Sequence, residues 1–160
     1  MKTKLYLAYG SNLHRGQMAH RCPDARVVGK AKLSGYRLTF RGGEDRAVAT
    51  IEPSQGHTVP VLLWEISPRD EQALNLYEGY PRFYGKQEFP VEIGGEEVNA
   101  MAYVMTPGFE IGTPSPTYLA TIMEGYREAG FDFDPLLDAL EYSAAHAAAQ
   151  EEAEQIGPDY

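Results

Sequence analysis

Cysteine is almost absent from this sequence, with Cys22 the single one among 160 residues. An intrachain disulfide needs two cysteines and a thiolate metal cluster needs more, so neither can form within the chain. The four histidines, His14, His20, His57 and His146, do not have the spacing of a motif such as His-Glu-x-x-His. We therefore expect surface or capping histidines and no metal site.

Clusters of positive charge are also missing. Fourteen Lys and Arg residues lie scattered among 23 Asp and Glu residues, and the formal net charge is −9. A nucleic-acid backbone or an anionic membrane surface would require a concentrated basic patch, so neither is an expected partner. Met1 to Gly10 contain an apolar stretch too short for a signal-peptide core or a membrane span. We therefore expect a cytoplasmic protein.

The composition is that of an ordinary folded domain. Hydrophobic residues make up 43% of the chain and charged residues 23%, which is enough apolar material for a core. Domains are most often built from about 100 to 150 residues, so 160 residues fit one domain. No internal repeat or linker interrupts the chain, and we expect a single domain over residues 1–160.

Several segments have the composition and alternation of strands, separated by Gly- and Pro-rich turns. The two glycines Gly94 and Gly95 are typical of a tight hairpin turn. Gly35 and the run 53–56 are expected to separate other strands. The seven predicted strands are residues 4–9, 25–33, 36–40, 47–52, 59–66, 85–93 and 98–105.

Helices are predicted between and after these strands. Ser67, Pro68 and Asp70 form a helix start with a capping box, and Gly79 supplies a left-handed end. The segment 115–130 has the same signals, and a C-terminal helix is expected at about residues 135–155. These elements predict an α+β fold, a small mixed or antiparallel β-barrel of about six to seven strands with flanking helices.

The first predicted strand ends in Tyr9-Gly10-Ser11-Asn12-Leu13. Gly10 allows a sharp turn, and Ser11 or Asn12 can cap the following short helix. Backbone N–H groups exposed at such a turn bind carboxylates and developing oxyanions. An ordinary capped turn would have the same sequence.

Glu78 stands at the end of the helix that begins at Ser67, four residues after Leu74 and among several aromatic residues. Aromatic surroundings remove water from a carboxylate, and the helix C-terminus adds a negative dipole end. Both effects raise the pKa and suit proton transfer near neutral pH. A solvated Glu at the end of a helix is the alternative.

The loop and Glu78 together resemble the γ-glutamylcyclotransferase-like superfamily, in which a Tyr-Gly-Ser-Asn loop pairs with a later Glu-Gly step. The segments 78–84 and 114–118 are similar to the family's central segment and to its substrate-side tyrosine segment, and the resemblance covers about residues 5–130. The loop continues as Asn12-Leu13, unlike the glutathione-specific branch, and is similar to the broad bacterial and plant branch.

The resemblance implies an enzyme that cyclises the γ-glutamyl group of an amine, amino acid or peptide to 5-oxoproline and releases the amine. This acyl transfer is lyase-like and uses the substrate's own amino group as nucleophile, so no metal or cofactor is expected. Glu78 would be the catalytic acid and base. The implied substrate-binding residues are Tyr9, Gly10, Ser11, Asn12, Leu13, Tyr84 and Tyr118.

Two other functions stay open at this point: a non-catalytic module that binds γ-glutamyl compounds or other small molecules, and a γ-glutamyl amide hydrolase or transferase. Arg82 could pair with a substrate carboxylate or cover the rim of the site. The Ala- and Glu-rich tail, residues 141–160, could pack on the domain, cover the cavity or join a dimer, so the protein is expected to be a monomer or a homodimer.

Overall fold

The computed structural model describes residues 2–155, and side chains as far as residue 150. The strands are β1 (Lys4–Ala8), β2 (Arg26–Arg41), β3 (Val48–Ile66), β4 (Tyr84–Ile93) and β5 (Glu96–Met105). The helices are α1 (Arg15–Arg21), α2 (Pro68–Tyr77), α3 (Pro116–Ala129) and α4 (Asp134–Gln155), and a short 3₁₀ turn covers Ser11–Leu13. The end of the tail, residues 156–160, lies outside the described residues.

The five strands form one mixed sheet in the order β2-β3-β1-β5-β4. The short strand β1 lies in the centre, antiparallel to β3 and parallel to β5, while β2–β3 and β4–β5 are antiparallel hairpins. As a central strand, β1 is covered on both faces, and Tyr6, Leu7 and Ala8 are buried. The chain therefore leaves β1 for the 3₁₀ turn in the middle of the sheet.

The predicted α+β class is confirmed, but the strand count of six to seven differs from the five observed. Residues 25–33 and 36–40 belong to one long strand, β2, and residues 47–52 and 59–66 to another, β3. Gly35 and Gly56 adopt left-handed φ angles of 83° and 86°, and the β2–β3 register shifts between Ser34 and Tyr36. These glycines bend a continuous ladder rather than end it, because bulges tolerate positive φ.

The sheet curls until its two edge strands approach each other. The rings of Tyr36 on β2 and Phe89 on β4 pack edge to face at 5.2 Å. A Cβ atom on Gly29 of β2 would lie 3.0 Å from the Ile93 side chain of β4. Within residues 2–155, no hydrogen-bonded ladder joins β2 to β4. Contacts between side chains of these two edge strands close the curled sheet around the core.

Helix α2 has well-defined ends, as predicted. The Ser67 side chain accepts a hydrogen bond from Asp70 N–H, and the Asp70 side chain accepts one from Ser67 N–H. At the other end Gly79 has a φ of 63°, and the N–H of Tyr80 donates to Asn75 O at 2.9 Å. With the Gly79 N–H on Leu76 O, this is a Schellman motif. Glu78 is consequently held as the capping residue just beyond the helix.

The N-cap of helix α1 differs from the one predicted. The sequence prediction placed Ser11 or Asn12 at this position, and it is wrong. His14 is the N-cap, and its Nδ1 accepts a hydrogen bond from Gln17 N–H at 3.0 Å. Ser11 and Asn12 lie earlier, inside the 3₁₀ turn, so their side chains are directed elsewhere. Within residues 2–155, no helix is both long and apolar enough to cross a bilayer.

Candidate functional site

A cavity of about 180 Å³ opens where the β1 loop, the end of α2 and the start of α3 meet. Ligand pockets for drug-sized molecules are larger, about 300 to 1,000 Å³, so this cavity suits a group the size of an amino acid. Seven of the eight residues predicted for the site line it: Tyr9, Gly10, Ser11, Asn12, Glu78, Tyr84 and Tyr118.

The eighth predicted residue, Leu13, does not line the cavity. Its side chain is fully buried in the core. The Cβ of a residue in place of Gly125 on α3 would lie 2.7 Å from Leu13 Cβ, which shows how closely the two segments pack. Leu13 N–H also donates to Gly10 O at 3.0 Å, so that amide is already used. Leu13 anchors the loop to α3.

The loop presents free amides to the cavity. Among the hydrogen bonds of residues 2–155, the N–H groups of Ser11 and Asn12 donate to no protein acceptor, as is usual in the first turn of a helix. Gly10 lets the loop pack closely against β3, because a Cβ there would lie 3.2 Å from Ala49 Cβ and 3.6 Å from the Tyr118 hydroxyl. Ser11 and Asn12 both line the cavity, so their unused amides are candidate donors to an anionic or carbonyl oxygen.

Glu78 faces this loop from the end of α2. Asn12 Nδ2 lies 3.4 Å from Glu78 Oε1, at the outer limit of a hydrogen bond. Burial raises the pKa of Glu78 to about 7, against an opposing effect of the Arg21 charge. The direction is the one expected from the aromatic residues near Glu78 in the sequence. At neutral pH this carboxyl can both accept and release a proton.

The two predicted tyrosines meet at one peptide unit. The Tyr84 hydroxyl donates to Ala49 O at 2.5 Å, while the Tyr118 hydroxyl accepts from Ala49 N–H at 3.0 Å. Burial raises the pKa of both phenols well above the ordinary value, so both stay neutral. The proton of Tyr84 is engaged by Ala49 O, whereas the contact of Tyr118 with Ala49 uses only the Tyr118 oxygen.

Six residues that line the cavity were not predicted from the sequence. The Tyr6 hydroxyl accepts a hydrogen bond from Asn12 Nδ2 at 2.9 Å, and the Tyr77 hydroxyl lies 3.2 Å from Ser11 Oγ. They come from different elements, so no local spacing indicates that they meet. The lining residues outside the prediction are Tyr6, Val48, Ala49, Tyr77, Phe83 and Tyr103. Arg82 is exposed and does not line the cavity.

One histidine lies near two acidic residues outside the cavity. His14, Glu124 and Glu128 place possible ligand atoms within 4.8 Å of one another. Nδ1 of His14 accepts from Gln17 N–H, and Nε2 lies 3.0 Å from Glu124 Oε2. A metal ion at Nε2 would require the proton to move to Nδ1, which would break the cap. The group therefore fits a link between α1 and α3 better than a metal site.

Both the sequence and the fold are similar to those of known proteins. The model of a family described as gamma-glutamyl cyclotransferase, AIG2-like, matches residues 6–125. A human protein named gamma-glutamylcyclotransferase is 30% identical over 163 residues, covering 95% of this chain and 86% of the relative. A mouse protein of the same name is 30% identical over 166 residues, covering 97% of this chain and 88% of the relative.

A solved structure described as gamma-glutamyl cyclotransferase superimposes on this fold with a TM-score of 0.75. The two chains are 29% identical, and the match covers 90% of this chain and 88% of the other. The range matched by the family model, residues 6–125, contains both the loop at residues 9–13 and Glu78.

Proposed function

Because the chain belongs to the gamma-glutamyl cyclotransferase, AIG2-like family, we propose that it converts a γ-glutamyl amide into 5-oxoproline and a free amine. The observation that carries the proposal is the pairing of Glu78 with the amide-rich loop. A carboxyl with a pKa of about 7 lies 3.4 Å from the Asn12 amide in the lining of a cavity of amino-acid size. The substrate would be a small γ-glutamyl amine, amino acid or peptide.

The proposed reaction needs no nucleophile from the protein. The substrate's α-amino nitrogen attacks its own γ-carbonyl carbon, a new C–N bond closes a five-membered ring, and the original amide C–N bond breaks. The α-nitrogen must lose two protons, one from the ammonium before it attacks and one from the ring nitrogen after the new bond forms. Glu78 takes each in turn and passes it to the leaving nitrogen, which departs as an ammonium. The carbonyl oxygen gains negative charge in between, and the N–H groups of Ser11 and Asn12 would stabilise it. Atoms and protons balance without water or a cofactor.

The cavity would act mainly by folding the substrate. The γ-glutamyl chain must bend until its α-amino nitrogen meets its γ-carbonyl carbon. Binding the chain in this bent form removes much of the entropic cost of reaching the transition state. The free hydroxyl proton of Tyr118 would donate to the substrate, and the rings of Tyr9 and Tyr84 would exclude water. Among the described residues that line the cavity there is no Lys or Arg, so backbone and hydroxyl donors would bind the substrate carboxylate.

Turnover of γ-glutamyl compounds is the direct test. A panel of γ-glutamyl amines, amino acids and short peptides is incubated with the protein, and 5-oxoproline is measured by liquid chromatography. We expect Glu78→Gln to lower kcat about 10²- to 10⁴-fold, the usual contribution of general acid–base catalysis. Glu88→Gln, at an exposed position on β4, is the matched control and should keep full activity.

The products separate this function from its alternatives. Free glutamate would indicate a hydrolase, and a new γ-glutamyl amide would indicate a transferase. Thermal stabilisation by a γ-glutamyl compound without any product would indicate a binding module. Full activity in Glu78→Gln would show that the proton-transfer role is assigned to the wrong residue.

A further inference from the structure

Arg21, the last residue of α1, is held by three contacts beside the cavity. Its Nη1 donates to Asn12 Oδ1 at 2.6 Å, and its Nη2 donates to Gln17 Oε1. The guanidinium carbon lies 3.4 Å from the centre of the Tyr77 ring, so the planar group stacks on that ring. Arg21 does not line the cavity, but two of its partners, Asn12 and Tyr77, do.

The contact with Asn12 decides which end of that amide faces Glu78. An Asn side chain has one carbonyl acceptor and one NH₂ donor. Since Arg21 occupies Oδ1, the NH₂ group is turned toward the Tyr6 hydroxyl, at 2.9 Å, and Glu78 Oε1, at 3.4 Å. With the amide reversed, its oxygen would face the carboxylate and repel it.

Arg21 is also the cation that acts on Glu78. Five phenols face it, and burial raises the pKa of each, so they are neutral: Tyr6 on β1, Tyr9 in the loop that follows, Tyr84 on β4, Tyr103 on β5 and Tyr118 on α3. Tyr77 on α2 also lines the cavity beside it. Nearby Lys86 is paired with Glu71. Among the described residues, Arg21 is the one cation that shifts the pKa of Glu78, and it lowers that pKa.

We propose that Arg21 is a positioning residue for Glu78, which it serves by orienting the Asn12 amide and by stabilising the carboxylate form of Glu78. The expected effect of Arg21 on turnover rests on the proposed cyclotransferase function. The contacts of Arg21 with Asn12 and of Asn12 with Glu78 are present without substrate. The charge of Arg21 opposes the effect of burial, so its removal should raise the pKa of Glu78 and leave less carboxylate to accept the substrate's proton.

The test replaces Arg21 by Met, which keeps an apolar stem over Tyr77 and removes both the charge and the fork. The matched control is Arg15→Met, since Arg15 is an exposed residue of the same helix. The pH dependence of kcat is measured from pH 5 to 9. One unit of pKa is a tenfold change in the carboxylate fraction, and an opposite charge nearby shifts a pKa by about one to three units. Relative to wild type, the kcat of Arg21→Met should therefore fall about tenfold more at pH 6 than at pH 9. Arg15→Met should show no such difference.

A second readout does not depend on turnover. The carboxyl carbon of Glu78 is titrated by ¹³C NMR in unliganded wild type, Arg21→Met and Arg15→Met, and assigned by comparison with Glu78→Gln. We expect the midpoint to rise in Arg21→Met alone. Arg21→Lys, which keeps the charge without the fork, should keep the wild-type midpoint but a lowered kcat, because Asn12 is no longer held.

These measurements distinguish failure of the inference from failure of the proposed function. If wild type produces no 5-oxoproline but the NMR midpoint still rises in Arg21→Met, the function is wrong and the positioning role stands. If wild type turns over substrate and neither the midpoint nor the acidic side of the pH profile moves in folded Arg21→Met, the positioning role is overturned.

Discussion

The partly buried carboxyl of Glu78 should make the protein less stable at alkaline pH. Its pKa rises on folding from the ordinary 4.5 to about 7, because burial disfavours the charged form. Below pH 4.5 the group is protonated in both folded and unfolded chains, and folding carries no penalty from it. As the pH rises through 4.5 to 7, the unfolded chain ionises first, and stability is lost. At pH 9 the full penalty is about 3 kcal/mol, from about 1.4 kcal/mol per pKa unit.

Glu78→Gln removes this penalty, since a neutral amide of the same size fills the position. We expect the variant to be more stable than wild type by about 3 kcal/mol at pH 9 and by about 1 kcal/mol at pH 5.5. Urea unfolding followed by circular dichroism measures both differences. With slopes of about 1 to 3 kcal/mol per molar urea, the midpoint at pH 9 should rise by at least about 1 M.

A control of opposite sign is available on α2. Burial raises the pKa of Glu71, but hydrogen bonds from Lys86 and Lys4 outweigh that effect and leave the pKa lowered. The stability that Glu71 contributes is present above its unfolded pKa and lost as the pH falls through its folded pKa. Glu71→Gln should therefore destabilise the protein at both pH 5.5 and pH 9. A Glu78→Gln variant no more stable than wild type at pH 9 would refute the burial argument.

Two further predictions concern the shape of the cavity. Gly125→Ala would place a Cβ 2.7 Å from Leu13 Cβ, so the loop must shift, and kcat/KM should fall at least about tenfold. Gly85→Ala is the control and should stay active, because its new Cβ would lie 3.9 Å from the nearest neighbouring atom. Unchanged kcat/KM in Gly125→Ala would contradict this packing. Tyr118→Phe should raise KM for the γ-glutamyl substrate more than Tyr84→Phe does, because the Tyr84 proton is engaged by Ala49 O. Each of the two variants should lower the free energy of unfolding by about 1 to 3 kcal/mol, measured by thermal unfolding, since an Ala49 backbone group is left unpaired. Equal increases in KM in the two variants would show that Tyr118 donates nothing to the substrate.

Much of the architecture follows from local sequence signals. The Ser67–Asp70 capping box, the Gly79 helix end and the Gly94–Gly95 turn depend on contacts within a few residues, and all three were predicted correctly. The family resemblance, which required only the order of two short motifs, is also confirmed. Strand continuity was not predictable, because Gly35 bends a strand or ends it depending on whether its neighbours pair on both sides.

Cytoplasmic location, the extent of the single domain and the choice between monomer and homodimer stay predictions from the sequence. The roles of the site residues stay predictions too, although their placement is now defined. Leu13 illustrates the difference: the motif groups it with four cavity residues, but its side chain points into the core.

From the sequence alone one learns that an amide-rich loop and a carboxyl at a helix end are present, because both depend on neighbouring residues. Only the tertiary structure decides that they lie 3.4 Å apart, that phenols from separate strands and helices surround Glu78, and that Arg21 opposes the effect of burial. Desolvation and charge act through space, and Arg21, whose charge lowers the pKa of Glu78, stands 57 positions before it in the sequence.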